Sequence, residues 1–368
     1  MIPLAKPVIG ESEEQQVLEV LRSGRLSLGP KLAEFEQSFG GWLGVDHASA
    51  VSSGTAGLHL ALRAVGVKAG DEVITSPFSF IASSNAVLYQ RAKPVFVDID
   101  PVTLNIPTDA VAEAITERTT ALLPVHIFGA PADVPAMEQL GFPIVEDACE
   151  ALGAVHSDGT QVGARGHHAV FGFYANKQLT TGEGGIVISP SSSAKAEIDS
   201  ERNQGRAPDM AWLDHDRLGF NYRLSDLQCA LGIAQVQRLD HMLGQRMRVA
   251  ELYADALSGA DGLELPPVDL PTGRRSWFVY VVKVPEGVNR DQLIKRLYER
   301  GVEAKPYLPA IHLFEFYREQ FGFKQGQFPV AEDAASRSLA LPFFPELSEA
   351  EVDTVARTLI SELQAVAV

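Results

Sequence analysis

Apolar and polar positions divide the chain into alternating helical and extended stretches. Near the start, Val17, Leu18, Val20 and Leu21 give one helix an apolar face. Ser12 is its expected cap, Glu13 and Glu14 suit the dipole of its first turn, and Gly24 is its expected stop. Leu32, Phe35, Phe39 and Trp42 mark a second helix. SAVSSGTAGLHLALRA (residues 49–64) reads as a small-residue turn, Ser52 to Thr55, running into a helix with Leu58, Leu60 and Leu62. From 71 to 128 the pattern alternates. DEVITSP, PVFVDID and TALLPVHIFG are strands, FSFIASSNAVLYQRA is a helix, and Val111 to Ile115 lie on another. FPIVEDACEALGA adds a strand finished by Ile144 and Val145, with Glu146 and Asp147 at its carboxyl end. Two further strands, Val170 to Tyr174 and Ile186 to Ile188, flank a small-residue loop. This alternation predicts a mostly parallel sheet with helices on both faces, which binds ligands beyond the carboxyl ends of its strands.

The C-terminal part reads differently. Residues 200–223 are polar and loop-like, and Leu224 to Leu257 form one long helical stretch. The Gly/Asp/Pro-rich SGADGLELPPVDLPTG marks a domain boundary. SWFVYVVKV and VEAKPYL then read as strands, and RDQLIKRLYERG, 330–340 and 348–363 as helices. The expected organisation is a large domain over 1–245, including an N-terminal helical segment, and a small α+β domain over 246–368.

Composition narrows the class. The 368 residues are 46% hydrophobic and 21% charged, as in globular proteins. A net charge of -16 argues against a nucleic-acid partner. The 2 cysteines, Cys149 and Cys229, lack metal-ligand spacing, and their scarcity suggests a reducing compartment. MIPLAKPVIGESEEQQ has no apolar signal core, and no apolar run reaches membrane-spanning length. A cytoplasmic protein with no membrane partner is expected. No GxGxxG follows the first strand, so a dinucleotide site is not expected.

Chemistry concentrates in Val170 to Ile188, VFGFYANKQLTTGEGGIVI. Lys177 is the only lysine between Lys93 and Lys195, and it lies between two apolar strands. A lysine amine in low dielectric loses its proton more easily, which suits Schiff-base chemistry with an aldehyde. Alone, such a lysine is also compatible with a surface hairpin tip. The SGT turn at a helix start could bind an anion or serve only as a cap. Asp147, His126 and Lys177 all fall at predicted strand ends.

The order of RLSLGP…FEQSFG, SSGTAGLHLAL, VHIFGAPADV, VEDACEALGA, FYANKQLTTGEGG, GFNYRLSDLQCALG, PYLPAIHL and LPFFPELSEAEV resembles the sugar-nucleotide aminotransferases of the DegT/StrS group over nearly the whole chain. That resemblance implies an α/β fold of type I among enzymes dependent on pyridoxal 5'-phosphate (PLP). It implies that Lys177 binds the cofactor's aldehyde and shuttles a proton, and that Asp147 pairs with the pyridine nitrogen. By the same resemblance Gly54 and Thr55 hold the phosphate, Phe80 stacks on the ring, and Glu150 lies near the phenolic oxygen. Asn221 would reach the phosphate of a neighbouring subunit in a homodimer with shared active sites. Arg223, Tyr307 and His312 would meet substrate. No metal is expected. Two departures stand out: Gly172 occupies a position where the family often has serine, and Glu150 one where glutamine is common. The resemblance implies transfer of nitrogen from L-glutamate to a nucleotide-linked ketosugar. The T-T-G-E-G-G run favours C4 of a 4-keto-6-deoxy sugar. The alternatives are a 3-keto sugar, a cyclitol or an aminobenzoate precursor, a sugar dehydratase, in which histidine replaces the lysine, or a non-catalytic PLP-binding sensor.

Overall fold

A computed structural model describes residues 1–207 and 214–366. The chain opens with helices α1 (Glu11–Ser23) and α2 (Pro30–Leu43). Helix α1 is capped at Gly10 instead of Ser12, because the Gly10 N–H donates to Glu13 Oε2 at 2.8 Å. Gly24, at φ 71°, ends it as expected. Phe35 and Phe39 of α2 are fully buried, pointing the helix face at the sheet beneath.

The next elements are β1 (Ala48–Val51), α3 (Gly54–Ala64), β2 (Glu72–Thr75), α4 (Ala82–Tyr89), β3 (Lys93–Phe96), α5 (Thr108–Glu113) and β4 (Thr119–Leu123). They are followed by α6 (Val134–Met137), β5 (Val145–Asp147), β6 (Val155–His156), β7 (His168–Gly172), β8 (Gly185–Ile188) and α7 (Ser192–Arg202). One group of strands has the order β1-β8-β7-β5, the other β3-β2-β4. Parallel bridges Leu122–Ile144 and Val125–Asp147 join β4 to β5, so the two groups form one sheet. Within it, β8 alone runs against its neighbours. Strands covered on both faces explain the unbroken apolar runs in the sequence.

Helices α8 (Asp226–Gln237) and α9 (Leu239–Ala256) replace the single expected helix. They break at Arg238, whose φ of -118° is not helical. Ser225 caps α8 by accepting from the Gln228 N–H. The linker is not free chain: β10 (Gly273–Arg274) pairs with β6 on one side and with β9 (Asp269–Leu270) on the other. Then follow β11 (Tyr280–Lys283), α10 (Arg290–Glu299), β12 (Lys305–Pro306), α11 (Glu315–Phe321), α12 (Pro329–Arg337), β13 (Ser338–Leu341) and α13 (Glu349–Val366). The helix expected over 330–340 ends at Arg337. Ser338–Leu341 is instead the central strand of an antiparallel sheet, β11-β13-β12. This sheet and α9, α10 and α13 enclose a second core around Tyr253, Tyr280 and Leu339.

Position 245/246 falls inside continuous helix α9. Residues at the other end of the chain also join the C-terminal body: Ile2 bridges Val302, and the Phe343 N–H donates to the Leu4 carbonyl at 2.9 Å. Among the described residues, no helix is long and apolar enough to cross a membrane.

Candidate active site

A cavity of about 460 Å³ opens at the carboxyl edge of the sheet, lined by residues from Ser53, Gly54 and Thr55 to Asp147, Lys177 and Tyr307. The turn between β1 and α3 forms one wall. Ser53 is extended, at φ -166°, and its Oγ accepts from the Ala56 N–H at 3.1 Å. The cap satisfies one of the free N–H groups at the helix start and leaves those nearer the cavity for a ligand anion. Glycines bring this turn close to its neighbours. A Cβ at Gly54 would meet Cys149 Sγ at 2.8 Å, and one at Gly185 would meet the Gly54 nitrogen at 2.8 Å. The glycine-rich run after Lys177 therefore packs β8 under the start of α3.

Asp147 ends β5 and is 6% exposed. Its Oδ2 accepts from Ser83 Oγ at 2.6 Å, and its Oδ1 from the Cys149 N–H at 3.2 Å. Ser83 in turn lies 2.8 Å from Ser79 Oγ. Two donors hold the carboxylate in one orientation, with no basic side chain bonded to it among the described residues.

Lys177 sits in the turn after β7, its N–H donating to the Tyr174 carbonyl at 3.0 Å. Its Nζ lies 3.6 Å from Glu150 Oε1 and 3.9 Å from the centre of the Phe278 ring. Glu150 is buried, and its Oε2 accepts from the Phe128 N–H at 2.9 Å. Burial pushes the Glu150 carboxyl above its ordinary value, while Lys177 and the Phe128 N–H pull the other way. Phe80 stands at the mouth, 60% exposed. Tyr307 lines the far wall, its ring centre 5.7 Å from that of Phe128. Its loop is pinned across the cavity by the Phe78–Ala310 bridge and by the Ile311 N–H, which donates to the Pro77 carbonyl at 2.8 Å.

Gly54, Thr55, Phe80, Asp147, Glu150, Lys177 and Tyr307 thus share one cavity. His312 does not. Its expected contact with substrate is corrected by its burial: the ring is fully enclosed, with Nε2 at 3.0 Å from Glu332 Oε1 and the Phe328 ring 4.8 Å away. It serves the aromatic packing behind the Tyr307 loop. Asn221 and Arg223 also lie outside the cavity of this chain. Asn221 is exposed, between Phe220 and Tyr222, whose rings stack at 5.0 Å against α3. Arg223 Nη1 donates to Asn203 Oδ1 at 3.0 Å and to Gln204 Oε1 at 2.6 Å. Of the loop 200–223, residues 208–213 lie outside the described residues.

Sequence reasoning missed Ser83, Cys149 and Phe278. Ser83 had a signal, a serine-rich helix start facing a strand end. Phe278 had none, since it reaches Lys177 from the distant segment that leads into β11.

The donor set fits PLP. A lysine amine, an ionisable carboxylate and a helix start opened by Gly54 and Thr55 suit an aldehyde, a pyridine nitrogen and a phosphate. The cavity volume suits a ligand of that size. Comparison with known proteins agrees. The sequence pattern of the DegT/DnrJ/EryC1/StrS aminotransferase family matches residues 7–360. The spore coat polysaccharide biosynthesis protein SpsC of Bacillus subtilis is 37% identical, covering 96% of this chain and 95% of its own. The aminotransferase TlmJ of Streptoalloteichus hindustanus superposes with a TM-score of 0.92 at 34% identity, covering 100% of both chains. Spr1654 of Streptococcus pneumoniae, solved in a PLP form, superposes with a TM-score of 0.93 at 27% identity, covering 99% of each.

Proposed function

The chain belongs to the DegT/DnrJ/EryC1/StrS aminotransferase family and is a PLP-dependent aminotransferase; on that premise we propose that it moves an amino group from L-glutamate to C4 of a nucleotide-linked 4-keto-6-deoxy sugar. The observation that carries the reading is the convergence of Lys177, Asp147 and the start of α3 on one cavity. The similarity to SpsC, named for spore coat polysaccharide biosynthesis, supports a sugar substrate. The T-T-G-E-G-G run after Lys177 supports the C4 branch.

Bound PLP supplies an electron sink and a carrier for nitrogen between donor and acceptor. The chain supplies the rest. Asp147, fixed by Ser83 and the Cys149 N–H, presents a carboxylate that keeps a ring nitrogen protonated. The start of α3 and the Thr55 hydroxyl hold the phosphate. The Lys177 amine accepts a proton from the substrate carbon and returns it. Glu150, 3.6 Å from the Lys177 amine and held by the Phe128 N–H, orients that amine within the cavity. Phe80 covers the ring from the mouth. Tyr307 lies on the wall where substrate enters, and Arg223, with no carboxylate partner among the described residues, is suited to a diphosphate.

The assembly we propose is a homodimer with shared active sites. Phe220 and Tyr222 pack on α3, and the Asn203–Asn221 bridge holds the backbone, so Asn221 is presented outward on a fixed support. A neutral amide with N–H donors suits a phosphate oxygen of the partner's site.

The test is a panel of nucleotide-linked 3-keto and 4-keto sugars and a cyclitol ketone, offered to enzyme loaded with the aminated cofactor. Fastest turnover on a 4-keto-6-deoxy sugar supports the proposal. Turnover confined to a 3-keto sugar or a cyclitol overturns the C4 assignment.

A further inference from the structure

Helix α9 carries a guanidinium into the wall behind Lys177. Arg246 is 4% exposed, and no carboxylate lies within salt-bridge distance of it among the described residues. Its Nη1 donates to the Phe278 carbonyl at 3.0 Å and its Nη2 to the Lys177 carbonyl at 3.3 Å. Its Nε is buried without a partner, and its guanidinium carbon lies 5.6 Å from the centre of the Phe343 ring. Burial pulls its pKa down to about 10, so it remains charged at neutral pH.

A buried, unpaired charge opposes folding, and an apolar side chain of similar volume would fill the space without that penalty. What the guanidinium adds is geometry. Its planar fork reaches two carbonyls at once, which neither an apolar chain nor a single ammonium does as well. The two carbonyls belong to the residues that set the position of one amine. Lys177 carries that amine, and the Phe278 ring is its support, 3.9 Å from Nζ. The segments come from different parts of the molecule: Lys177 follows β7, and Phe278 leads into β11.

We propose that Arg246 is a positioning residue, which sets the reactive amine of Lys177 by fixing the lysine's backbone and the ring beneath its side chain together. The inference rests on the reading of Lys177 as the amine that meets the cofactor's aldehyde.

The test reads the amine directly. Cofactor-free protein is mixed with PLP and quenched with borohydride at intervals, and the Lys177 peptide is followed by mass spectrometry. The amine and aldehyde join with loss of water. Borohydride then delivers hydride to the carbon of the new C=N bond, and water protonates the nitrogen, leaving a stable secondary amine. Wild type should be labelled at Lys177. Arg246→Met and Arg246→Lys should be labelled at least tenfold more slowly. Their affinity for pyridoxamine phosphate, which has no aldehyde, should stay within twofold of wild type. Labelling of both variants at the wild-type rate overturns the inference. So does a loss of pyridoxamine phosphate affinity in step with the loss of labelling, which would mark a general packing role. Absence of label at Lys177 in wild type overturns the reading of Lys177, and this inference with it. Should the Arg246 variants not fold, Phe278→Leu decides. It keeps the carbonyl but removes the ring, and unchanged labelling there rejects the proposed support.

Discussion

Gly172 offers a quantitative test of how the phosphate end of the cavity is built. It ends β7 beside the start of α3, where the family often has serine. A Cβ added there would lie 3.3 Å from Cys149 Sγ and 3.4 Å from Cys149 Cβ. Those approaches are tight, so Gly172→Ser should destabilise by about 1–2 kcal/mol through overpacking. Cys149→Ala removes the obstructing sulfur and should cost about 1 kcal/mol in lost packing. If the sulfur is the obstruction, the double variant should be about 1 kcal/mol more stable than the sum of the single effects predicts. The new hydroxyl, once accommodated, adds a donor at the phosphate end. A hydrogen bond to a charged group contributes about 1.5–3 kcal/mol, so the double variant should bind pyridoxamine phosphate at least tenfold more tightly than Cys149→Ala alone. Urea unfolding supplies the cycle and titration calorimetry the affinity. Additive stabilities together with an unchanged affinity would refute the reasoning that Cys149 occupies the space a serine needs.

Three other predictions concern separate parts of the site. Asp147→Asn should lower turnover by several powers of ten with the fold intact, each tenfold step corresponding to about 1.4 kcal/mol of barrier; a loss below tenfold would reduce Asp147 to a structural role. Lys177→Ala and Asn221→Ala chains, each poor alone, should partly recover activity when subunits exchange. No recovery in demonstrated mixed dimers would reject a shared site. Burial, then Arg63, pulls His59 down to about 4, and its Nδ1 lies 3.1 Å from the Tyr222 hydroxyl. The folded state therefore binds fewer protons at His59 than the unfolded chain between pH 6.5 and about 4. Its contribution is full above 6.5 and falls with pH, by roughly 3 kcal/mol at most, and His59→Gln should flatten that part of the stability profile. An unchanged profile would show that His59 does not titrate in that range.

The elements that surround the cavity were legible because each has a local cause. Buried strands produce apolar runs, Gly24 stops a helix, and the order of strand, small-residue turn and helix marks the start of α3. Lys177 and Asp147 stood at predicted strand ends, and the order of motifs carried their roles by resemblance. What failed depended on distant packing. Ser338–Leu341 followed a helical stretch and shared its apolar character, yet β11 and β12 recruit it as their central strand. The break at Arg238 has no glycine or proline to announce it. There the side chain turns to Glu13 of α1, with Nη1 at 3.3 Å from Oε2. His312 lay in a motif near Tyr307, but an aromatic cluster and Glu332 enclose it. Phe278 and Arg246 act on Lys177 only through the closed fold, and periodicity carries no trace of such contacts.

The central claim is that this chain transfers nitrogen from an amino acid to a keto sugar through the Lys177 site. Its most direct test uses ¹⁵N-labelled L-glutamate and a nucleotide-linked 4-keto-6-deoxy sugar, with products followed by mass spectrometry and NMR. The wild-type enzyme should place ¹⁵N on C4 of the sugar and release an equal amount of 2-oxoglutarate, and Lys177→Ala should give neither product. The claim is contradicted if the wild-type enzyme leaves the sugar unlabelled, or if Lys177→Ala labels it at a comparable rate.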